Sequence, residues 1–322
     1  MPRKRDSLKH QLRTAALVGV SDNHTVSAYR RACDAFSTWC RENSVRDLKD
    51  VSVDVLQRYA DYLTQRPEKY TAATIHGKLA PVCKAAGVSM SEIRKPKRTA
   101  GLIQRGRSET KTGRGEREAG LPQYERLVTL QRCVGIRRAE LGKLTGSSLV
   151  RDKHGRVYIK VIGGKGGKDQ LQFVLPKDRE TVLQIFDGIG QDEPVFTPEE
   201  MTNHINLHGI RAEHAKECYQ HYADFLTRYP ERSEALRSSL LRRWDNAHAA
   251  LKKHDPGAYS KAKEKFINDM DDRPYKLRGE NRDKAIKMGL PTEYNRLALM
   301  AVSVFHLSHW RLDVTSVNYL VQ

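Results

Sequence analysis

Apolar side chains recur at three- and four-residue steps through the first part of the chain. The first such stripe follows the pair Ser21-Asp22 and comprises Val26, Tyr29, Cys33, Phe36 and Cys40. A second follows Ser52, a third covers about 71–86 before Gly87, and a short one opens at Ser89. This spacing, with Ser, Thr or Asp before it and Gly after it, is typical of amphipathic helices. We predict a small all-helical domain over residues 21–93.

The pattern changes in the second part of the chain. Residues 121–144 keep helical spacing, whereas 148–152, 156–162 and 170–175 are short β-type runs separated by turns that contain glycine. Helical spacing then returns over about 178–187, 203–228, 231–252 and 256–270, and in a last helix from about 291. The predicted fold class is therefore mainly α with a small antiparallel β-sheet of three strands. This second domain covers residues 119–322.

Two basic segments border the helical domain. Residues 1–20 are predicted to form a loose basic tail. Residues 94–118 combine lysine and arginine with interspersed glycines and few apolar side chains, which favours a flexible interdomain linker. A solvated loop is the plain alternative, but a basic linker would also lie along a phosphate backbone. The candidate DNA contacts in this segment are Lys95, Lys97, Arg98, Arg105 and Arg107.

The net charge narrows the class of partner. The 322 residues contain 57 Lys and Arg against 39 Asp and Glu, a formal charge of +18. Such an excess favours nucleic acid, because neutralising phosphates releases condensed counterions. A basic protein that is merely soluble, or one associated with the ribosome, is the alternative. No apolar run approaches the length of a membrane span and the N-terminus lacks a signal-peptide pattern, so we expect a cytoplasmic protein.

The five cysteines suggest a reducing compartment. They are Cys33, Cys40, Cys83, Cys133 and Cys218. None forms a C-x-x-C pair, their number is odd, and several occupy apolar positions of helical stripes. We therefore expect buried reduced thiols rather than disulfides or zinc ligands.

Two arginines suit the chemistry of a phosphodiester. Its pentavalent transition state carries extra negative charge, which fixed cationic donors stabilise. Arginine binds two oxygens at once and stays protonated. Arg137 and Arg211 are the predicted clamp residues, although an arginine taken alone is more often a surface residue. Glu140 can orient a neighbouring side chain on the same helix face, or form an ordinary helix ion pair.

A lysine in the second predicted turn supplies a candidate general acid. Lys165 lies in Gly163-Gly164-Lys165-Gly166-Gly167-Lys168, at the tip of a hairpin that can enter a groove. Lysine can protonate a leaving 5′ oxygen when neighbouring positive charge lowers its pKa. Lys168 is a secondary candidate and another DNA contact. The segment lacks the Walker spacing and does not lead from strand into helix, so nucleotide binding is excluded.

Histidines and a tyrosine near the end of the chain complete the set. Tyr319 is the proposed nucleophile: a phenol is weak at neutral pH, but cationic neighbours favour its ionised form. His309 can assist it or donate to a phosphate oxygen, and His208 shares a helix face with Arg211. A zinc site from His204, His208 and His214 is the alternative, but the H-E-x-x-H pattern is absent. We expect no metal and no cofactor.

The ordered motifs resemble those of the tyrosine recombinase (phage integrase) family. Gly135-Ile136-Arg137-Arg138-Ala139-Glu140-Leu141 is similar to the first arginine box, and the Lys165 turn to the lysine hairpin. His208-Gly209-Ile210-Arg211 is similar to the His-x-x-Arg box. The segment from Val302 to Tyr319 is similar to the box of the last histidine and the nucleophile. The resemblance covers nearly the whole chain and makes residues 21–93 the core DNA-binding domain.

The resemblance has further implications and two departures. It implies strand exchange through a 3′-phosphotyrosyl bond and a Holliday intermediate, by a homo-tetramer on double-stranded DNA, for integration and excision of a mobile element in a bacterial nucleoid. It implies no separate arm-binding domain in the short N-terminal extension. The family more often has Gly where this chain has Ser308, which makes His306 a rival for His309. Residues of about 215–290 form an unusually long, basic helical insertion.

Two other functions use the same features. A non-catalytic DNA-binding module would need the basic surface but not the ordered set of catalytic residue types. A type IB topoisomerase-like enzyme would use the same chemistry to relax DNA without a specific partner site. The two-domain arrangement and the short segment after Tyr319 favour recombination.

Overall fold

A computed structural model describes residues 7–97, 119–164, 169–201 and 205–321 of the chain. The chain divides into two compact units, Met1–Arg105 and Gly106–Gln322. Each unit has its own hydrophobic core, and each is treated by itself below.

The first unit is a bundle of four helices. They are α1 (Leu8–Leu17), α2 (Asn23–Glu42), α3 (Val53–Thr64) and α4 (Ala72–Ala86), followed by a 3₁₀ turn at Met90–Glu92. The predicted caps Asp22 and Ser52 are confirmed, and Thr71, predicted as the first residue of its helix, is also a cap: each side chain accepts the backbone N–H group three residues on. Gly87 ends α4 in the left-handed conformation, with φ of 67°.

Helix α1 corrects the prediction of a loose tail over residues 1–20. Leu8, Leu12 and Ala16 are buried in the core of the first unit. The guanidinium of Arg13 also binds the Asp34 carboxylate through two hydrogen bonds, of 2.7 and 2.5 Å. The charge of the segment masked its apolar positions, which occur at helical spacing.

The start of the predicted linker is also ordered. The backbone of Arg94 exchanges two hydrogen bonds with the Gln57 side chain, and the carbonyl of Pro96 contacts His76 Nε2 at 3.0 Å. Residues 94–97 therefore pack against the helical unit rather than forming a flexible linker. Residues 98–118, with Arg98, Arg105 and Arg107, lie outside the described part of the chain.

The second unit begins with two helices and the sheet. Helix α5 (Glu125–Val134) ends at Gly135, and the short α6 (Arg138–Leu141) follows. The single helix predicted over 121–144 is therefore wrong, because Gly135 adopts φ of 55° and ends α5. Strands β1 (Leu149–Arg151), β2 (Val157–Val161) and β3 (Gln170–Phe173) form the predicted antiparallel sheet, in the order β1-β2-β3.

Long helices build the rest of this unit. They are α7 (Arg179–Phe186), α8 (Leu207–Arg228), α9 (Ser233–Ala247), α10 (Ala249–His254), α11 (Pro256–Asn268) and α12 (Gly279–Lys287). A two-stranded ribbon, β4 (Tyr275–Lys276) with β5 (Glu293–Tyr294), was not predicted. The predicted insertion of about 215–290 corresponds to the end of α8 and to α9–α12, which bury Trp244, Tyr259 and Phe266 in a shared core.

The end of the chain is made of short helical segments. Helix α13 (Arg296–Ala301) continues as a π-helix over Val302–Leu307, and α14 (Leu312–Thr315) continues as a π-helix over Ser316–Leu320. π-Helical turns are rare in proteins, and those that occur are often located at functional sites. The mainly α fold class with a small antiparallel sheet is confirmed.

The described residues include no helix with the length and apolarity to cross a membrane. All five cysteines are buried, as predicted.

Candidate active site

Arg211 is buried in the first turns of α8 and is surrounded by oxygen acceptors. Its side chain is 1% exposed. The Nε group donates to the Tyr319 hydroxyl at 3.2 Å, Nη2 donates to the Leu307 carbonyl at 3.0 Å, and Nη1 donates to the Gly135 carbonyl. Burial lowers the pKa of Arg211, whereas its interaction with Tyr319 raises it. The guanidinium stays protonated, as arginine does in proteins, so a fixed cation faces the tyrosine oxygen.

Gly135 makes this arrangement possible. Gly135 ends α5, and its carbonyl accepts a hydrogen bond from Arg211 Nη1. Its φ of 55° is left-handed. A Cβ atom at this position would lie 2.5 Å from Cδ2 of His214 on α8. Glycine is needed here for both its φ and its size. The conformation turns the chain so that Arg137 follows immediately at the N-cap of α6.

Arg137 and Glu140 form a second part of the site. Arg137 Nη1 donates to Glu140 Oε1 at 2.8 Å, and Nη2 makes a long contact of 3.5 Å with the Leu307 carbonyl. The Glu140 side chain is 3% exposed and also accepts Gln170 Nε2 at 2.9 Å. The carboxylate therefore fixes Arg137 relative to the start of β3. Arg137 remains 23% exposed and can meet a ligand.

Tyr319 is held between a cation and an imidazole. Its hydroxyl lies 3.0 Å from His309 Nε2 in addition to the Arg211 contact. The ring of the exposed His208 lies 5.7 Å from the Tyr319 ring, centre to centre. Tyr319 itself is only 5% exposed. Three separate parts of the chain thus meet at one phenolic oxygen and its ring.

The backbone that carries His309 has an unusual conformation. Ser308 and Trp310, on either side of it, have left-handed φ values of 54° and 60°. Non-glycine residues in this region are strained and are found at functional sites. The Trp310 ring packs on His248 at 5.8 Å and on Phe266 at 6.1 Å, both from the insertion. The insertion thereby supports the segment that presents His309 to Tyr319.

His306, the rival of His309, faces the protein interior. It is fully buried, and its two ring nitrogens contact His214 and Tyr222. The contacts with Tyr319 therefore favour His309. His208 and His214 of the zinc alternative lie in different surroundings on α8, one exposed near Tyr319 and the other buried, while His204 lies outside the described residues.

The lysine turn lies outside the described residues at Lys165 and Lys168. The residues that border it are near α6. Lys143 Nζ donates to the Gly163 carbonyl at 3.1 Å, and Gln170 donates to Glu140. The residues that border the turn on both sides therefore lie near α6, which follows Arg137.

The two described linker lysines differ in their surroundings. The Lys95 ammonium donates to the carbonyls of Met90 and Ile93, so it stabilises the end of the first unit. Lys97 is exposed. Both lysines remain predicted DNA contacts. The Lys95 ammonium is already engaged by protein carbonyls, whereas no such contact is found for Lys97 among the described residues.

Comparison with known proteins bears on the first unit. Residues 18–84 match the family model of the phage integrase N-terminal SAM-like domain. This match overlaps the predicted core DNA-binding domain, over residues 21–93, and agrees with the resemblance of the motifs to the tyrosine recombinase (phage integrase) family.

A solved structure, described as a crystal structure of XerA recombinase, also matches. It is 14% identical, and the match covers 65% of this chain and 83% of that chain with a TM-score of 0.25. No curated protein sequence matches this chain significantly.

Sequence reasoning missed three contributors to this site. The Leu307 carbonyl accepts from Arg211 and Arg137, and a backbone acceptor leaves no signal in side-chain types. Gln170 was seen only as a strand residue. Gly135 was included in a helix, although a glycine directly before an arginine box could have indicated the end of that helix.

Proposed function

We propose that the chain is a site-specific DNA recombinase that cleaves and rejoins strands through a 3′-phosphotyrosyl bond on Tyr319. The observation that carries the proposal is the position of the Tyr319 hydroxyl between Arg211 Nε, at 3.2 Å, and His309 Nε2, at 3.0 Å. A buried cation and a proton acceptor at one phenolic oxygen are what a tyrosine nucleophile requires.

The proton of the phenol has a defined route. Because Arg211 donates to the Tyr319 oxygen, the phenol O–H can donate to His309 Nε2 when that nitrogen is unprotonated. Attack of the oxygen on phosphorus then forms the phosphotyrosyl ester, and the bond to the 5′ oxygen breaks. Lys165 would protonate that leaving oxygen. The ester retains the bond energy, so a different 5′ hydroxyl can reverse the step without ATP.

The two arginines would stabilise the pentavalent phosphorus. Arg137 is partly exposed and oriented by Glu140, which suits a clamp on the non-bridging oxygens. Arg211 is preorganised by two carbonyls, so little reorganisation accompanies the charge that develops. His208, exposed beside Tyr319, would donate to the same phosphate group. These steps use no metal ion.

The burial of Tyr319 implies a change of conformation on the way to cleavage. With 5% exposure, its hydroxyl cannot meet a phosphodiester until DNA or a second protomer shifts the segment around it. The π-helical turn over Ser316–Leu320 carries Tyr319 and is where we expect this shift, because rare π-turns are frequently located at functional sites. A homo-tetramer on two recombination sites would couple this shift to assembly.

The partner is double-stranded DNA with specific recombination sites. Lys97, and in the segments outside the described residues Arg98, Arg105, Arg107 and Lys168, would contact its phosphates, with Lys95 behind them. Such contacts position the duplex but carry no sequence information. The biological role would be integration and excision of a mobile element, on nucleoid DNA in a bacterial cytoplasm.

One experiment separates this function from its alternatives. Two plasmids, each with the DNA that flanks the gene of this chain, are incubated with the protein in a buffer without added metal ions. The proposal predicts joint molecules that carry both flanks. Relaxation of a single plasmid without joining would indicate the topoisomerase-like function. Retention of both plasmids on a native gel without breakage would indicate a DNA-binding module and contradict the proposal.

A further inference from the structure

Three buried side chains with metal-binding atoms converge behind the candidate active site. They are His214 and Cys218 on α8, and His306 on the π-helical segment Val302–Leu307. One ligand atom from each lies within 4.8 Å of the others. His214 Nε2 is 3.3 Å from Cys218 Sγ and 3.3 Å from His306 Nδ1. None of the three touches Tyr319 in the contacts described above, so the proposed strand cleavage does not use them.

Hydrogen bonding accounts for this cluster only in part. The carbonyl of Arg132 lies 2.7 Å from His214 Nδ1, and a carbonyl can only accept, so Nδ1 carries the proton. His214 Nε2 is then unprotonated and has one lone pair. Both the Cys218 thiol and His306 Nδ1 face that lone pair. One lone pair cannot accept two well-directed hydrogen bonds, whereas a cation placed on it can be shared by all three atoms.

The outer partners of the two histidines suit metal ligation. Histidines that bind a metal through one nitrogen usually donate the other N–H to an oxygen, which fixes the ring and its tautomer. His214 has the Arg132 carbonyl in this role. For His306, the Tyr222 hydroxyl lies 3.2 Å from Nε2, on the ring nitrogen that does not face His214. Both rings are therefore already oriented by second partners.

We infer that His214, Cys218 and His306 form a binding site for a divalent cation of the zinc class. Two imidazoles and a thiolate are the ligand set that zinc prefers. With Zn–N of about 2.0–2.1 Å and Zn–S of about 2.3 Å, tetrahedral geometry sets neighbouring donors roughly 3.3–3.6 Å apart. The two measured separations of 3.3 Å fit this range. Three protein ligands leave a fourth position for water or another small donor.

The proton balance of binding is simple. Burial lowers the pKa of His214 to about 4 and lowers the pKa of His306 well below its usual value, and metal ligation uses imidazole in its neutral form. Burial raises the pKa of the Cys218 thiol, so the thiol is protonated in the free protein. Binding therefore releases one proton, from Cys218, and the cation charge compensates the buried thiolate.

The site would act on the rigidity of the catalytic region. Helix α8 carries Arg211 one turn before His214, and the carbonyl of Leu307, next to His306, accepts from Arg211. A cation shared by α8 and the π-helical segment would cross-link the two supports of the active site. This role is structural. It does not depend on the proposed function, because it concerns cation binding and fold stability alone.

The test uses the full chain, freed of metal with a chelator and titrated with Co²⁺. The inference predicts binding of one Co²⁺ per chain, with visible bands of tetrahedral Co²⁺ and a near-ultraviolet thiolate-to-cobalt band that Zn²⁺ removes. Cys218→Ser should lose the thiolate band. Cys83→Ser, which replaces a buried cysteine of the first unit, is the matched control and should retain it.

A second variant guards against misfolding. His306→Gln removes a nitrogen ligand and keeps the thiol, so it should weaken Co²⁺ binding at least tenfold. Circular dichroism shows whether each variant folds, and Zn²⁺ should raise the unfolding temperature of the wild type but of neither variant. Absence of the thiolate band in the wild type, or its persistence in Cys218→Ser, would overturn the inference. Co²⁺ binding without that band would indicate ligation by exposed histidines and would equally overturn the inference.

Discussion

The Nε group of Arg211 donates to the Tyr319 hydroxyl across 3.2 Å, although the two residues are 108 positions apart in the chain. The guanidinium is buried and its remaining nitrogens are held by the carbonyls of Gly135 and Leu307. The cation cannot move away from the phenol without losing these bonds. The fold therefore fixes a positive charge at the atom that the proposed reaction makes nucleophilic.

Replacement of Arg211 should affect cleavage more than DNA binding. In Arg211→Lys, one ammonium cannot reach Gly135, Leu307 and Tyr319 together, because it lacks the planar fork of the guanidinium. We expect DNA cleavage to fall about 100-fold or more, as for the loss of a preorganised donor to a transition state. Quantifying cleaved nicked duplex checks this. Arg228→Lys, on the exposed end of the same helix, is the control and should cleave normally. A cleavage rate within threefold of the wild type in Arg211→Lys would contradict the assigned role.

Gly135→Ala should destabilise the second unit more than a matched glycine replacement. Both Gly135, with φ of 55°, and Gly289, with φ of 65°, are left-handed, which costs alanine about 1–2 kcal/mol. Only at Gly135 would the new Cβ meet another atom, His214 Cδ2 at 2.5 Å, whereas nothing lies within 4 Å at Gly289. Urea unfolding should show the larger loss for Gly135→Ala. Equal losses would mean that the contact with α8 relaxes without cost.

Removal of the Trp310 ring should uncouple the insertion from the active site. The ring packs on His248 and Phe266, and it is partly exposed. Trp310→Ala should cost about 2 kcal/mol of stability, below the range for fully buried tryptophans. It should also slow cleavage, because His309 is the preceding residue. Trp310→Phe retains an aromatic ring and should recover most of both properties. Thermal unfolding and the cleavage assay measure the two effects; normal cleavage by Trp310→Ala would leave the insertion without a catalytic role.

The Arg13–Asp34 pair should make the attachment of α1 dependent on pH. The hydrogen bond from Arg13 lowers the pKa of the Asp34 carboxyl in the folded chain. The unfolded chain then binds a proton more readily, so the stabilisation is present above the unfolded pKa and is lost as the pH falls through the folded pKa. Because the pair is about one-third exposed, solvent screens it and its contribution to stability is small.

Hydrogen exchange of the α1 amides tests this pH dependence. Asp34→Asn should expose α1 to faster exchange at pH 7, and the difference from the wild type should shrink towards pH 3, after correction for intrinsic exchange rates. Asp54→Asn removes the carboxylate of an exposed pair with Arg58 and should leave α1 unchanged. A difference that persists undiminished at pH 3 would show that packing, and not charge, is what Asp34 contributes.

The helices of the first unit could be predicted from local chemistry. Asp22 and Ser52 cap helices where the sequence indicated, and the three strands form the predicted antiparallel sheet, because caps, turns and alternation act between near neighbours. Helix α1 was missed because its apolar stripe is short and lies within a basic segment. Its stability comes from contacts with α2 and α4, which a local pattern does not contain.

The sequence predicted which residues form the site, but it did not predict how they are arranged in space. Arg211, His309 and Tyr319 were selected by the chemistry that each can perform, and the structure brings them together. The Leu307 carbonyl, which accepts from Arg211, and Gln170, which donates to Glu140, could not be predicted because both contacts join segments far apart in the sequence. His214 was considered as a metal ligand with His204 and His208, but its neighbours in space are Cys218 and His306.

The most direct test of the account is whether Tyr319 forms a covalent bond to DNA. The protein is incubated with a nicked duplex that carries a candidate recombination site, and the products are separated on a denaturing gel. We predict a protein–DNA adduct in the wild type and none in Tyr319→Phe, which should still bind the duplex. Peptide mapping should place the nucleotide on Tyr319. An adduct of undiminished yield in Tyr319→Phe would move the nucleophile to another residue and contradict the central claim.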